Sequence, residues 1–128
     1  RLTYRREEIR SQSLENLSRF LRQGLLEQKV FDKLADLLHL WEKLAEHERE
    51  LAQIDKDREK IFKVQQQIQG NMGALGNTGR EGDLRIRYVS ELETTEEKLR
   101  QMSEKEAYYR SQMEQIEAEI QARLKALK

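Results

Sequence analysis

One pattern constrains this chain more than any other: an apolar residue recurs alternately every three and four positions, and nothing interrupts it except one cluster of glycines. Stepping from Leu26 gives Val30, Lys33, Leu37, Leu40, Leu44, His47, Leu51, Ile54, Arg58, Ile61, Gln65, Ile68, Met72 and Leu75. Eleven of these fifteen positions are apolar, with no break in phase. Stepping from Tyr88 gives Leu92, Thr95, Leu99, Met102, Glu106, Tyr109, Met113, Ile116, Ile120, Arg123 and Leu127, nine of twelve apolar. A heptad pattern held this long, with charged residues on most other positions, predicts left-handed coiled-coil packing. Neither segment shows the alternation of a β-strand. Proline is absent, so nothing forces either helix to stop.

Composition agrees. Ala, Glu, Lys, Leu and Arg supply about 54% of the residues, the make-up of long helices. Hydrophobic residues are 37%, too few for a thick globular core. Lys plus Arg and Asp plus Glu number 24 each, so there is no basic excess to hold nucleic acid or an anionic membrane. No run reaches the roughly 18 apolar residues of a membrane span, so no membrane insertion is expected. The lack of cysteine removes disulfides, thiolate metal ligands and cysteine nucleophiles. The chain begins at Arg1 without a methionine, and a piece of a longer protein is the expectation.

Five of the six glycines fall in one stretch, at Gly70, Gly73, Gly76, Gly79 and Gly82. Glycine disfavours a helix interior by about 1 kcal/mol and tolerates positive φ, which predicts a flexible reversal. The first helix should fray between Gly70 and Gly76, and Thr78 or Asp83 should cap the next; Thr78 with Glu81 has the capping-box spacing. A short turn between two heptad segments predicts an antiparallel helical hairpin. With the reversal near residue 79, residue i lies opposite roughly residue 159 minus i, and the arm is on the order of 65–75 Å long.

The N-terminal quarter differs. Leu14, Leu17, Phe20 and Leu21 form a short apolar face, and Gly24 resembles a helix C-terminal cap. Phe31, Leu34, Leu38, Trp41 and Ala45 add a second stripe beside the seam, a face too wide for one partner helix. Residues near 4–22 are therefore expected to fold back over 25–45 and the turns around Ile116, Ile120 and Leu127. The rival packing is a homodimer covering the same stripe. The expected fold is all-α: a short N-terminal helix in 1–24, a long helix in 25–72, a glycine-rich turn in 73–82 and a second long helix in 83–128, with a three-helix bundle at one end.

The sequence around the turn is distinctive. Ile61-Phe-Lys-Val-Gln-Gln-Gln-Ile-Gln-Gly-Asn-Met-Gly-Ala-Leu-Gly76 is followed by Leu84-Arg-Ile-Arg-Tyr-Val-Ser-Glu-Leu92 and Glu96-Glu-Lys-Leu99. It resembles the helical segment near the C-terminus of the bacterial mucoidy-inhibitor-like family, of unknown function. The residues that carry the resemblance are Gln67, Ile68, Asn71, Met72, Leu75, Leu84, Arg85, Arg87, Tyr88, Val89, Leu92 and Glu96 or Glu97. Gly70 stands where that family has a charged or polar helix former, and Gln66 or Gln69 where it has an arginine. About 40 of the 128 residues are covered. The resemblance implies a helical arm of an exported protein, in the bacterial envelope or periplasm, and names no activity.

Residue chemistry offers little else. Asp36-x-x-His39 is a lone pair, where a bundle di-metal site needs two Glu-x-x-His motifs and two further carboxylates. His47 lies on the seam among Glu46, Glu48 and Glu50; it reads as a polar seam residue fixing register, with pH sensing as the alternative. The glycines lack the Gly-Lys-Ser/Thr of a phosphate loop, and their Gly-x-x-Gly echoes lack the βα setting of an RNA clamp. Asp83 and Arg87 have i, i+4 spacing. No Ser–His–Asp set can be assembled. The reading is a non-enzymatic scaffolding coiled coil without cofactor or metal, binding protein, whether itself or other domains of its parent chain. Its candidate interface stripe is Phe31, Leu34, Leu38 and Trp41. The alternative is a binding module presenting a tip of Asn71, Asn77, Arg80, Arg85 and Arg87 to a protein or envelope partner. A nucleic-acid-contacting arm is the weaker third reading.

Overall fold

The structure is a computed structural model and describes residues 15–16, 18–24 and 27–126. It is all-α: among the described residues there is no strand, and two long helices pack against each other as a hairpin, with a short N-terminal helix. We label the helical residues 15–16 and 18–22 as α1, then α2 (Gln28–Gly73) and α3 (Gly79–Ala126). The expected fold-back of residues 4–14, with Leu14 and Leu17, lies outside the described residues. Two compact units are distinguished, residues 1–50 with 109–128, and residues 51–108.

α1 ends as its sequence suggests. Gly24 adopts φ +74°, and its N–H donates to the Leu21 carbonyl, so a left-handed glycine closes the last turn. In the first unit, Leu37, Leu44, Ile116 and Ile120 form the core, with Leu34, Leu40, Trp41, Met113 and Leu124 packed around it. Leu38 and Ala45 are buried as well. Adjacent residues on a helix point about 100° apart. Burial of both Leu37 and Leu38, and of both Leu44 and Ala45, therefore marks a face wider than a two-helix seam needs. Asn16 and Phe20 of α1 border the same face, beside Leu34, Leu38, Trp41 and Leu124.

The second unit is thinner. Ile54, Ile68 and Thr95 are its buried seam residues; Leu51, Arg58, Ile61, Gln65, Met72, Leu75, Leu92, Leu99, Met102 and Glu106 are half-buried. Phe62, Val64, Ile86, Val89 and Tyr108 lie off the seam and are exposed. The alignment agrees with the spacing: Asn71 Nδ2 meets Tyr88 Oη at 3.4 Å, the pair expected from 159 minus i.

The turn is shorter and more built than its glycines suggest. α2 runs to Gly73 and tightens there, with Ala74 and Leu75 N–H groups donating to the Asn71 and Met72 carbonyls. α3 begins at Gly79 rather than at 83, with Thr78 and not Asp83 in the position before its first residue, and Gly82 N–H donates to the Thr78 carbonyl at 3.1 Å. Gly79 takes the positive φ, +63°. Gly82 is required for a different reason: a Cβ there would lie 2.7 Å from the Asn77 carbonyl oxygen. Gly70 and Gly73 have open space around the Cβ position.

Two outcomes follow. Leu44 is 1% exposed and Phe62 43%, so Leu44→Ala should cost about 2–5 kcal/mol in urea unfolding and Phe62→Ala less than about 1 kcal/mol. Among the glycines, Gly73→Ala should stabilise by about 0.5–1 kcal/mol, while Gly82→Ala should destabilise and lower the melting temperature. Equal effects at Gly73 and Gly82 would contradict the packing described for the turn.

Candidate functional site

Two places concentrate the residues that sequence reasoning singles out, the turn and the wide face of the first unit. A third, the polar positions of the seam, emerges from the structure.

At the turn, the predicted tip residues do not form one surface group. The last carbonyls of a helix have no intrahelical donor. Arg85 supplies one: its Nη1 donates to the Met72 carbonyl at 2.9 Å and the Leu75 carbonyl at 3.3 Å. Arg85 is thus half-buried and committed to closing α2, and positive charge at that end also suits the helix dipole. Glu81 does not complete a capping box with Thr78 here. Its Oε1 instead accepts the Gly76 N–H at 3.2 Å. Asn71 is engaged with Tyr88. Asn77, Arg80 and Arg87 are exposed, and no ion pair joins Asp83 to Arg87 among the described residues, so the spacing alone does not bring them together. Ile86 stands beside them, 70% exposed.

On the wide face, Leu38 is buried, and Phe31, Leu34 and Trp41 are half-buried. Phe20, Leu34, Leu37, Leu38, Trp41 and Leu124 line an apolar groove of about 380 Å³, with Asn16 at its edge. Among the described residues, the stripe predicted from the sequence is therefore partly occupied by α1 and partly open.

The seam contains non-apolar residues on both helices, and most of them find one another. His47 and Tyr109 stack obliquely, ring centroids 5.3 Å apart at 38°. Arg58 Nη2 donates to Glu106 Oε1 at 3.1 Å, with side chains 22 and 25% exposed, and Arg58 also reaches Asp55 at 3.1 Å. Gln65 Nε2 donates to Thr95 Oγ1 and Glu96 Oε1, each at 2.9 Å. Thr95, 8% exposed, donates its own hydroxyl proton to the Leu92 carbonyl at 2.6 Å. Arg123 bonds Glu119 at 2.9 Å and Asp36 at 3.3 Å, the latter again a 159-minus-i pair. Of the sequence exceptions, Lys33 is exposed, and so is the apolar Val30. Sequence reasoning marked these positions singly and missed the pairing; applying the 159 rule to them would have brought Gln65 next to Thr95.

On the outer surface of α3, Arg100 bridges Glu97 and Glu104. Its guanidinium holds the Glu97 carboxyl below the usual carboxylate range, and the two carboxylates push Arg100 up. These groups are exposed and belong to the solvated face. Among the described residues no three His, Asp or Glu side chains gather as a metal site would, and no helix is long and apolar enough to cross a membrane. Compared with protein families, curated proteins and solved structures, the chain matches none of them.

The seam pairs make a direct expectation. Removing Arg58 alone takes away the bond that Glu106 accepts across the seam at 3.1 Å. Arg58→Met should cost about 1 kcal/mol, the pair being partly exposed, and Arg58→Met with Glu106→Leu should cost less than Arg58→Met alone. A double-mutant cycle in urea measures this; additive costs would show that the two side chains do not couple.

Proposed function

We propose that this chain is a structural coiled-coil arm that holds proteins together and catalyses nothing. The observation that carries the proposal is the groove of Phe20, Leu34, Leu37, Leu38, Trp41 and Leu124 on the first unit. An apolar surface that is lined by large side chains and not filled by the described residues suits a protein contact. The seam supports the scaffold reading, because its polar groups bond to each other and to backbone, leaving no convergent set of reactive groups. The absence of a basic excess in the sequence speaks against a nucleic-acid partner. The partner is a second copy of the chain or another domain of its parent, and the resemblance of 61–99 to an envelope-associated helical segment is in keeping with the latter.

Sedimentation equilibrium tests the proposal. If the groove mediates self-association, the wild-type mass should rise with concentration toward a dimer, and Trp41→Glu or Leu34→Glu should return it to a monomer with helix content retained. A monomer at all concentrations moves the contact to the parent's other domains. In that case the same substitutions should abolish co-purification with those domains, and retention of both variants would refute the groove.

The second reading places the contact at the turn, favoured by the exposure of Ile86 beside Asn77, Arg80 and Arg87. Ile86→Ser with Arg87→Ser should then weaken capture of the partner while leaving the groove variants fully competent.

A further inference from the structure

The second unit has two edges where α2 meets α3, and they differ in chemistry. Phe62 and Gln69 on α2, and Val89 and Glu96 on α3, each directly follow a seam residue. In an antiparallel pair such positions lie along one edge of the hairpin. Val64, Lys98 and Lys105 each precede a seam residue and lie along the other. The first edge is hollow. Between Gln69 on one side and Val89, Glu93, Glu96 and Arg100 on the other runs a groove of about 670 Å³, lined also by half-buried Leu92. Phe62 stands two turns from Gln69 on the same face of α2, level with Glu97 by the 159-minus-i rule. It is 43% exposed, and Val89 is 41% exposed.

The charge of this edge has one sign. α2 brings it no basic residue, since Glu59, Phe62, Gln66, Gln69 and Gly73 occupy the α2 positions. On α3, Arg100 is taken up by Glu97 and Glu104. Glu93 and Glu96 are left. Glu96 accepts from the neutral Gln65 amide at 2.9 Å, and among the described residues no basic side chain pairs with either carboxylate. Carboxylates beside an apolar strip select a partner that is oily on one face and basic next to it. A second copy laid on the same edge would bring its own carboxylates to the groove, and like charges oppose that contact. We propose that this edge of residues 51–108 receives a basic amphipathic helix from a partner protein. Its apolar stripe lies on Phe62, Val89 and Leu92, and its Lys or Arg residues turn toward Glu93 and Glu96. From Val89 to Arg100 is about 17 Å of helix, so three turns of the partner fill the groove. The inference stands on the second unit and does not depend on the groove around Trp41.

The test uses the full chain and two labelled helical peptides, one with leucines along one face flanked by lysines, the other with glutamates in place of the lysines. Fluorescence anisotropy should show the lysine peptide binding about tenfold more tightly or better. Phe62→Ser with Val89→Ser should weaken it by about tenfold, the change that accompanies loss of one buried apolar side chain. Val64→Ser, on the other edge, should leave it unchanged. Glu93→Gln with Glu96→Gln should erase the preference for lysine, and Glu93→Lys with Glu96→Lys should transfer it to the glutamate peptide. All these side chains are exposed, so circular dichroism should show helix content retained. The proposal is overturned if the two peptides bind alike, if the Phe62/Val89 variant binds like wild type, if Val64→Ser or Trp41→Glu weakens binding as much, or if the charge variants leave the preference in place. It is equally overturned if the chain self-associates and the Phe62/Val89 variant returns it to a monomer, because the edge then holds a second copy.

Discussion

A helix with one apolar stripe cannot bury that stripe against itself, and every other feature of this chain follows from how the stripe is covered. α2 and α3 each present a seam of the same period, and the cheapest cover for one is the other. That requires the chain to reverse without leaving helix-end groups stranded. The reversal meets the requirement chemically. Arg85 satisfies two carbonyls at the end of α2, Glu81 accepts the Gly76 N–H, and the Thr78 carbonyl begins the ladder of α3. With these groups in place, only residues 74–78 lie outside the two helices.

The two units cover the seam to different degrees, and the difference lies in the residues beside it. In 51–108, the flanking positions include Phe62, Val64, Ile86 and Val89, all exposed. Two helices suffice there, and most seam side chains remain half-buried. In the first unit, Leu38 and Ala45 flank Leu37 and Leu44 and are buried with them, while α1 contributes Phe20 to the edge. Burying flanking residues together with seam residues takes more cover than one helix provides. The groove left between Phe20, Trp41 and Leu124 marks where that cover stops among the described residues.

The period made the seam legible from sequence. From Leu37 to Leu75, and from Tyr88 to Arg123, each seam position is buried or half-buried. The period assigns a face, though, and is silent on what stands opposite. Arg58 with Glu106 depends on a diagonal reach that no residue count contains. The turn was harder still, since glycines signal freedom in a sequence and only coordinates separate Gly79, which uses positive φ, from Gly82, which is wanted for its missing side chain. Arg85 looked like a surface cation because its partners are backbone atoms, which carry no sequence signal. The wide stripe from Phe31 to Trp41 was visible for the opposite reason: it consists of side chains, and large ones.

A seam built wholly of aliphatic residues would have little preference among alignments a heptad apart, because the pattern repeats itself under such a slide. Polar pairs in a seam add little stability, since desolvating them roughly offsets what they gain. They act by being costly when mismatched: a Gln amide facing Leu has no partner, whereas Leu facing Ile is satisfied in any layer. Gln65 and Thr95 therefore select an alignment without much strengthening it. The departures from the heptad rule, which weaken the coiled-coil pattern when read along one helix, are the residues that specify how the two helices meet.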